Sequence, residues 1–147
     1  MKAKYVVGFT LLLLCSLVFL SGCKSSKIKE DVALKNIIIE TVQKSKEIDF
    51  TKITNFEWDK MYVFTPYSMP KDILNKDGIS ISNSEFNIEI LDTINMIGFV
   101  KSDKLVAFVE LPRNYGGVDL TNYIKFSKEE TKFNISKDKR AILFKKD

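Results

Sequence analysis

Hydrophobic and polar positions divide the 147-residue chain into one apolar block and a series of short amphipathic segments. Tyr5 to Leu20 (YVVGFTLLLLCSLVFL) is 16 residues without a charge, preceded by Lys2 and Lys4. A bilayer-spanning helix wants about 20 apolar residues. A short basic start, a short apolar run and small residues after it fit an export signal instead. Glu30 to about Glu47 carries Leu34, Ile37, Ile38, Thr41 and Val42 at helical spacing, with Glu30 and Asp31 at its start and Lys44 and Lys46 at its end. That arrangement predicts an amphipathic helix whose charges suit its dipole. Ile53 to Thr65 predicts a long strand. Phe56, Trp58, Lys60, Tyr62 and Phe64 fall on one face, and Glu57, Asp59, Met61, Val63 and Thr65 on the other.

Pro66 ends that strand, and Ser68-Met69-Pro70 opens a short helix that stops at Asp77-Gly78. Phe86, Ile88 and Ile90 alternate with Asn87 and Glu89, the pattern of a half-exposed strand. Thr93–Lys101 and Lys104–Leu111 flank Ser102-Asp103 and predict a hairpin, and their nearly continuous apolar character places both centrally in a sheet. Pro112 to Gly117 reads as a loop. A short element near Tyr123–Phe126 and strands at Thr131–Ile135 and Ala141–Lys145 follow. Helix comes first and strands cluster later, without βαβ alternation. The expected fold is α+β, with the N-terminal helix packed on a mainly antiparallel sheet of about five or six strands.

Leu20-Ser21-Gly22-Cys23 closes the apolar run. This tetrapeptide resembles the lipobox of bacterial lipoprotein precursors. The resemblance implies that the Cys23 thiol receives a diacylglyceryl group and that a type II signal peptidase cuts before it, making Cys23 the mature N-terminus. Residues 1–22 are then a signal peptide, 23–29 a tether and 30–147 a single domain. The implied location is the extracytoplasmic face of the cell membrane, with membrane lipid as the first partner. Two acyl chains suffice for stable anchoring, and Lys24, Lys27 and Lys29 suit an anionic lipid surface, although they read equally well as a solvated tether. Lys outnumbers Arg 21 to 2, the usage of an AT-rich genome such as that of a low-GC Gram-positive-type bacterium.

Charge and composition narrow the chemistry. Loss of Lys2 and Lys4 with the leader takes the basic count from 23 to 21 against 19 acids, a net +2 that does not suggest nucleic-acid binding. Histidine is absent, which removes His-based nucleophile pairs and His metal sites. Cys15 leaves with the signal and Cys23 is acylated, so no thiol is left for a disulfide. Neither a cofactor nor a metal is expected.

The segment Phe56 to Tyr67, patterned F-x-W-D-K-x-Y-x-F-x-P-Y, concentrates the only Trp and two of the four Tyr that follow the signal. It is similar to a segment of small bacterial lipoproteins, which implies nothing beyond the cellular address. Two readings stand. Trp58, Tyr62 and Tyr67 form an aromatic binding face, or the aromatic residues are core beneath the first helix. Asp59 and Arg113 admit the same choice: Arg113 binds an anionic ligand group with its planar fork, or it pairs internally with Asp59, Asp92 or Glu110. Tyr115 lies in the Asn114-Tyr115-Gly116-Gly117 loop, either a ligand loop or a connector.

The sequence thus favours a non-enzymatic binding or assembly module. Its expected partner is an envelope protein, a peptide or a cell-wall component, with a peptide-intercepting, immunity-type role as a special case. The alternative is a small envelope hydrolase using paired carboxylates drawn from Glu57, Asp59, Asp92 and Glu110.

Overall fold

The computed structural model describes residues 27–117, 123–138 and 140–145. Cys23 and the apolar leader lie outside them. Among the described residues the fold is α+β and mostly β, with three α-helices, and its sheets are largely antiparallel.

Helix α1 is Val32–Lys44. Asp31 caps it by accepting the Leu34 N–H at 2.9 Å, which satisfies one of the amide groups a helix start leaves free. Lys44 stands in its last turn, where a cation suits the dipole. Leu34, Ile38 and Val42 face inward. Ile37, expected on that stripe, is 43% exposed.

The main sheet has the order β4-β3-β2-β6, from β2 (Lys60–Phe64), β3 (Ile94–Lys101), β4 (Lys104–Pro112) and β6 (Tyr123–Ser127), all antiparallel. The β3–β4 hairpin forms as its sequence predicts. Ser102 takes the left-handed backbone (φ 54°) that a two-residue hairpin turn needs. The register shifts between Phe99 and Val100, which leaves Val106 of the facing strand as a bulge.

Two small pairs complete the β structure. β1 (Glu47–Asp49) runs antiparallel to β7 (Lys132–Asn134), and β5 (Gly116–Gly117) runs parallel to β8 (Ile142–Leu143). The expected single sheet of five or six strands is therefore divided into a four-stranded sheet and two two-stranded ribbons.

Both faces of the main sheet are covered, which explains its continuous apolar strands. On one face α1 packs with Met61, Val63, Ile97, Phe99, Val109 and Phe126. Phe50 opens the short helix α2 (Phe50–Ile53) and meets Phe99, Phe133 and Phe144 on this side. On the other face Tyr62, Phe64, Met96 and Phe108 pack against Leu74, Ile79, Phe86 and Ile88. Leu74 belongs to α3 (Pro70–Lys76), whose proline sits in the first turn and which ends ahead of Gly78 at φ 76°. The second layer comes from α3 and the irregular chain after it.

Two strand assignments change. The strand expected from Ile53 begins only at Lys60, because Phe50–Ile53 is helical and the Thr54 side chain is taken up by Trp58. Asn87–Glu89 is a 3-10 turn rather than a strand, because a buried carboxylate binds its leading amides. In both places side-chain to main-chain bonds compete with the ladder, Thr54 Oγ1 donating to the Phe50 carbonyl and the Glu110 carboxylate accepting the Asn87 and Ile88 amides.

Candidate functional site

The sequence-selected residues separate into core, brace and rim. Trp58 is core at 1% exposure. Its indole N–H donates to Thr54 Oγ1 at 2.8 Å, and its ring meets Phe99 edge-on at 5.2 Å. Its polar handle is thus spent internally, and the expectation of an open aromatic platform here is corrected. Tyr62 is also fully buried, and its hydroxyl donates to Asp77 Oδ2 at 2.7 Å. Burial first, then the Asp77 carboxylate, push the Tyr62 hydroxyl well above its ordinary range.

Asp59 braces the hairpin. Its carboxylate accepts the Ser102 N–H at 2.6 Å and Lys101 Nζ at 2.9 Å. These two contacts, the amide first, hold its pKa below the usual carboxylate value. Arg113 bonds internally to Asp92, one of its three expected partners, through the main chain rather than the carboxylate: Nη1 donates to the Asp92 carbonyl oxygen at 3.2 Å. Tyr115 is half-buried at the end of α1, where its hydroxyl accepts from Gln43 Nε2 at 3.4 Å. Tyr67 alone of the aromatic candidates stands open, at 63% exposure with φ 62°.

The fold does not gather these residues into one site. Asp59 donates its N–H to Val100, whereas Glu110 sits opposite Met96, four residues back along β3. That separation is roughly 13 Å. The carboxylates also point apart, Asp59 to the hairpin turn and Glu110 to Asn87 and Ile88. Glycosidase carboxylate pairs stand about 5–10 Å apart. Glu110 is buried at 5% exposure and caps the 3-10 turn, its Oε2 accepting Asn87 Nδ2 at 2.6 Å. Among the described residues, no group of three His, Cys, Asp or Glu is arranged to hold a metal ion.

A cleft that sequence reasoning missed lies at the C-terminal end of α1. It has a volume of about 360 Å³ and is lined by Lys44, Ser45, Lys46, Ile135, Ser136, Lys137 and Arg140. Four of these seven side chains are cationic and none is acidic. Local structure explains the gathering. Ile135 N–H bonds the Lys46 carbonyl, which brings the end of β7 beside the exit of α1. Ser136 and Arg140 close a turn, with Arg140 N–H on the Ser136 carbonyl at 3.0 Å. Arg140 takes φ 50°, and its Nη1 donates to Gln43 O at 2.6 Å, capping a carbonyl that the helix end leaves open. Lys44 shares its charge with Glu40. The cleft accordingly suits an anionic group at its open side. The signal was present in the sequence, since Arg140 is one of two arginines and closes the run Lys137-Asp138-Lys139-Arg140.

A smaller cleft of about 230 Å³ lies where the described chain begins, lined in part by Lys27, Ile28, Lys29, Asn87 and Glu110. The incoming chain is stapled along the β4 edge. Asp31 N–H bonds Phe108 O at 2.9 Å, and Glu30 Oε1 accepts the Glu110 N–H at 3.1 Å. These bonds cover an edge that would otherwise offer free backbone groups.

No protein-family model, curated protein or solved structure matches the chain.

Proposed function

We propose that the protein is a lipid-anchored, extracytoplasmic lipoprotein of the cell membrane that works as a tethered binding or assembly module. The observation that carries this reading is Leu20-Ser21-Gly22-Cys23 at the end of a 16-residue uncharged run with Lys2 and Lys4 before it. Cys23 carries the diacylglyceryl group, and the two acyl chains hold the domain. Lys27, the first described residue, is four residues after that cysteine, so the chain between them spans at most about 14 Å. Among the described residues no helix is long and apolar enough to cross a membrane.

The working surface in this reading is the basic cleft. Helix α1 runs 13 residues, about 20 Å, from the tether root to Lys44 at the cleft. The partner is an envelope protein, an exported peptide or a cell-wall component that presents an anionic group. Interception of a peptide at the membrane is one form this takes. Of the four acids an envelope hydrolase could pair, Glu57 and Asp59 both pair with Lys101, and Glu110 is taken up by Asn87 and stands far from them, which favours binding over hydrolysis.

Crosslinked capture from intact membranes tests this reading. Wild type is compared with Cys23→Ala and with Lys46→Glu/Lys137→Glu. Partners held by wild type and lost by both variants support it. Partners retained after charge reversal would rule out the cleft as the working surface, and wild-type protein found outside the membrane fraction would rule out the anchor.

A further inference from the structure

The Asn87–Glu89 turn redirects the chain with a consequence for the surface. Ile88 goes inward at 0% exposure, whereas Ile90 is left at 75% and Leu91 at 41%. Both follow from the turn, since the Ile90 and Leu91 amides bond the Asn87 carbonyl at 3.0 and 2.9 Å. The Tyr67 N–H bonds Ile88 O at 2.9 Å, which brings a second exposed segment alongside. There Tyr67 is 63% and Met69 48% exposed. Four large apolar side chains therefore stand at one corner, and folding buries none of them. Tyr67 holds a left-handed backbone, a conformation uncommon for an aromatic residue and often tied to function.

The tether arrives at the same corner. Asn87 shares the smaller cleft with Lys27, Ile28 and Lys29. Ser84 Oγ donates to Ile28 O at 3.0 Å, and Lys27 pairs with Glu85 at 3.2 Å. The position of this chain root determines what covers the apolar corner. Only residues 24–26 separate it from Cys23, so the anchor lies within about 14 Å. Apolar side chains that lie on a bilayer sink about 5–10 Å into its headgroup boundary, and tyrosine is enriched at that level. The neighbouring charges are mixed, Lys27, Lys29, Lys71 and Arg113 against Asp72, Glu85, Glu89 and Asp92. They offer no basic excess for anionic headgroups.

We propose that Tyr67, Met69, Ile90 and Leu91 form a seat that enters the lipid interface through apolar contact and orients the domain on the membrane. The inference rests on the lipid anchor at Cys23 proposed above. With the corner seated, α1 leads away from the tether root and the basic cleft faces outward. The lipid anchor fixes position, and the seat fixes orientation.

The test uses the full chain in phosphatidylcholine vesicles, in a Cys15→Ser background. A single thiol is placed by Ile90→Cys or by Val106→Cys, the latter beside the hairpin turn at the other end of the sheet. Each is labelled with an environment-sensitive fluorophore and read with lipids that quench at known depth. The seat predicts quenching at position 90 about twofold or more above that at 106, unchanged when phosphatidylglycerol is added. Equal, water-like emission at both positions, with the Cys15→Ser parent taking no label, overturns the seat and leaves the anchor standing. Labelling of Cys23 in the parent reveals a free thiol and overturns both. Quenching at position 90 that requires phosphatidylglycerol overturns the apolar seat in favour of a charge-driven contact.

Discussion

Tyr62 is a core ring whose polar tip has a structural duty. Its hydroxyl and Lys125 Nζ both donate to Asp77 Oδ2, at 2.7 and 2.9 Å. The Tyr62 hydroxyl is the larger cause of the lowered Asp77 pKa, followed by Lys125. Tyr62→Phe should cost about 1–2 kcal/mol, read as a shift in urea midpoint, and should raise the Asp77 pKa in an NMR titration. An unchanged Asp77 titration would show that the bond is not made in solution. The same carboxylates set an acid limit. Asp49, Asp59 and Asp77 all have folded pKa values below the ordinary one. Such groups stabilise the fold fully above their unfolded pKa, about 4, and that stability is lost as pH falls through the lower folded values. The thermal midpoint should therefore hold from pH 7 to about 5 and fall below about 4; a midpoint flat to pH 2 contradicts these contacts. At this scale the sequence was legible in residue type but not in partner. It marked Asp59 and Tyr62 as special, yet the groups that occupy them, Ser102 and Asp77, lie 43 and 15 residues away in the chain.

The elements best read from sequence are those built from local signals. Helix α1 has its Asp31 cap and its 3.6-residue stripe, and the hairpin has a two-residue turn between apolar runs. Elements set by distant groups were misread. Asn87–Glu89 alternates like a strand, but the Glu110 carboxylate, 23 residues on, binds its amides and turns it into a 3-10 helix. Glu110→Gln keeps one oxygen for the main-chain amides but turns an N–H₂ toward the Asn87 side-chain N–H₂. It should destabilise by about 1–3 kcal/mol in urea unfolding, and a neutral result would show that another group holds the turn. Of the β5–β8 ribbon, β8 falls within the strand expected at Ala141–Lys145, but β5 was read as loop, since two glycines give no strand signal. Gly116 is there for space: a Cβ would stand 2.7 Å from Phe144 Cε2. Gly116→Ala should cost about 1–3 kcal/mol, and Phe144→Leu in the same chain should recover part of it. Equal stability of Gly116→Ala and wild type would place Phe144 elsewhere.

For the whole molecule, composition and order of elements were enough to indicate α+β, but not the division into three sheets or the second covering layer. The continuous apolar strands already implied that both faces were buried; what covers the second face comes from α3 and irregular chain that carries little periodicity. The candidate site was legible only in part. The tetrapeptide ending in Cys23 was read directly, whereas the basic cleft draws on residues from positions 44 to 140 that only folding brings together. In the proposed account these features form one axis, with lipid at Cys23, an apolar corner against the membrane and a cationic cleft about 20 Å along α1. The central claim is the anchor. The intact mass of the protein extracted from membranes tests it most directly. A lipid-anchored protein should have a chain that begins at Cys23 and carries a diacylglyceryl group, and the Cys23→Ala protein should lack this mass shift. A wild-type mass equal to the unmodified chain, with residues 1–22 still attached, would contradict it.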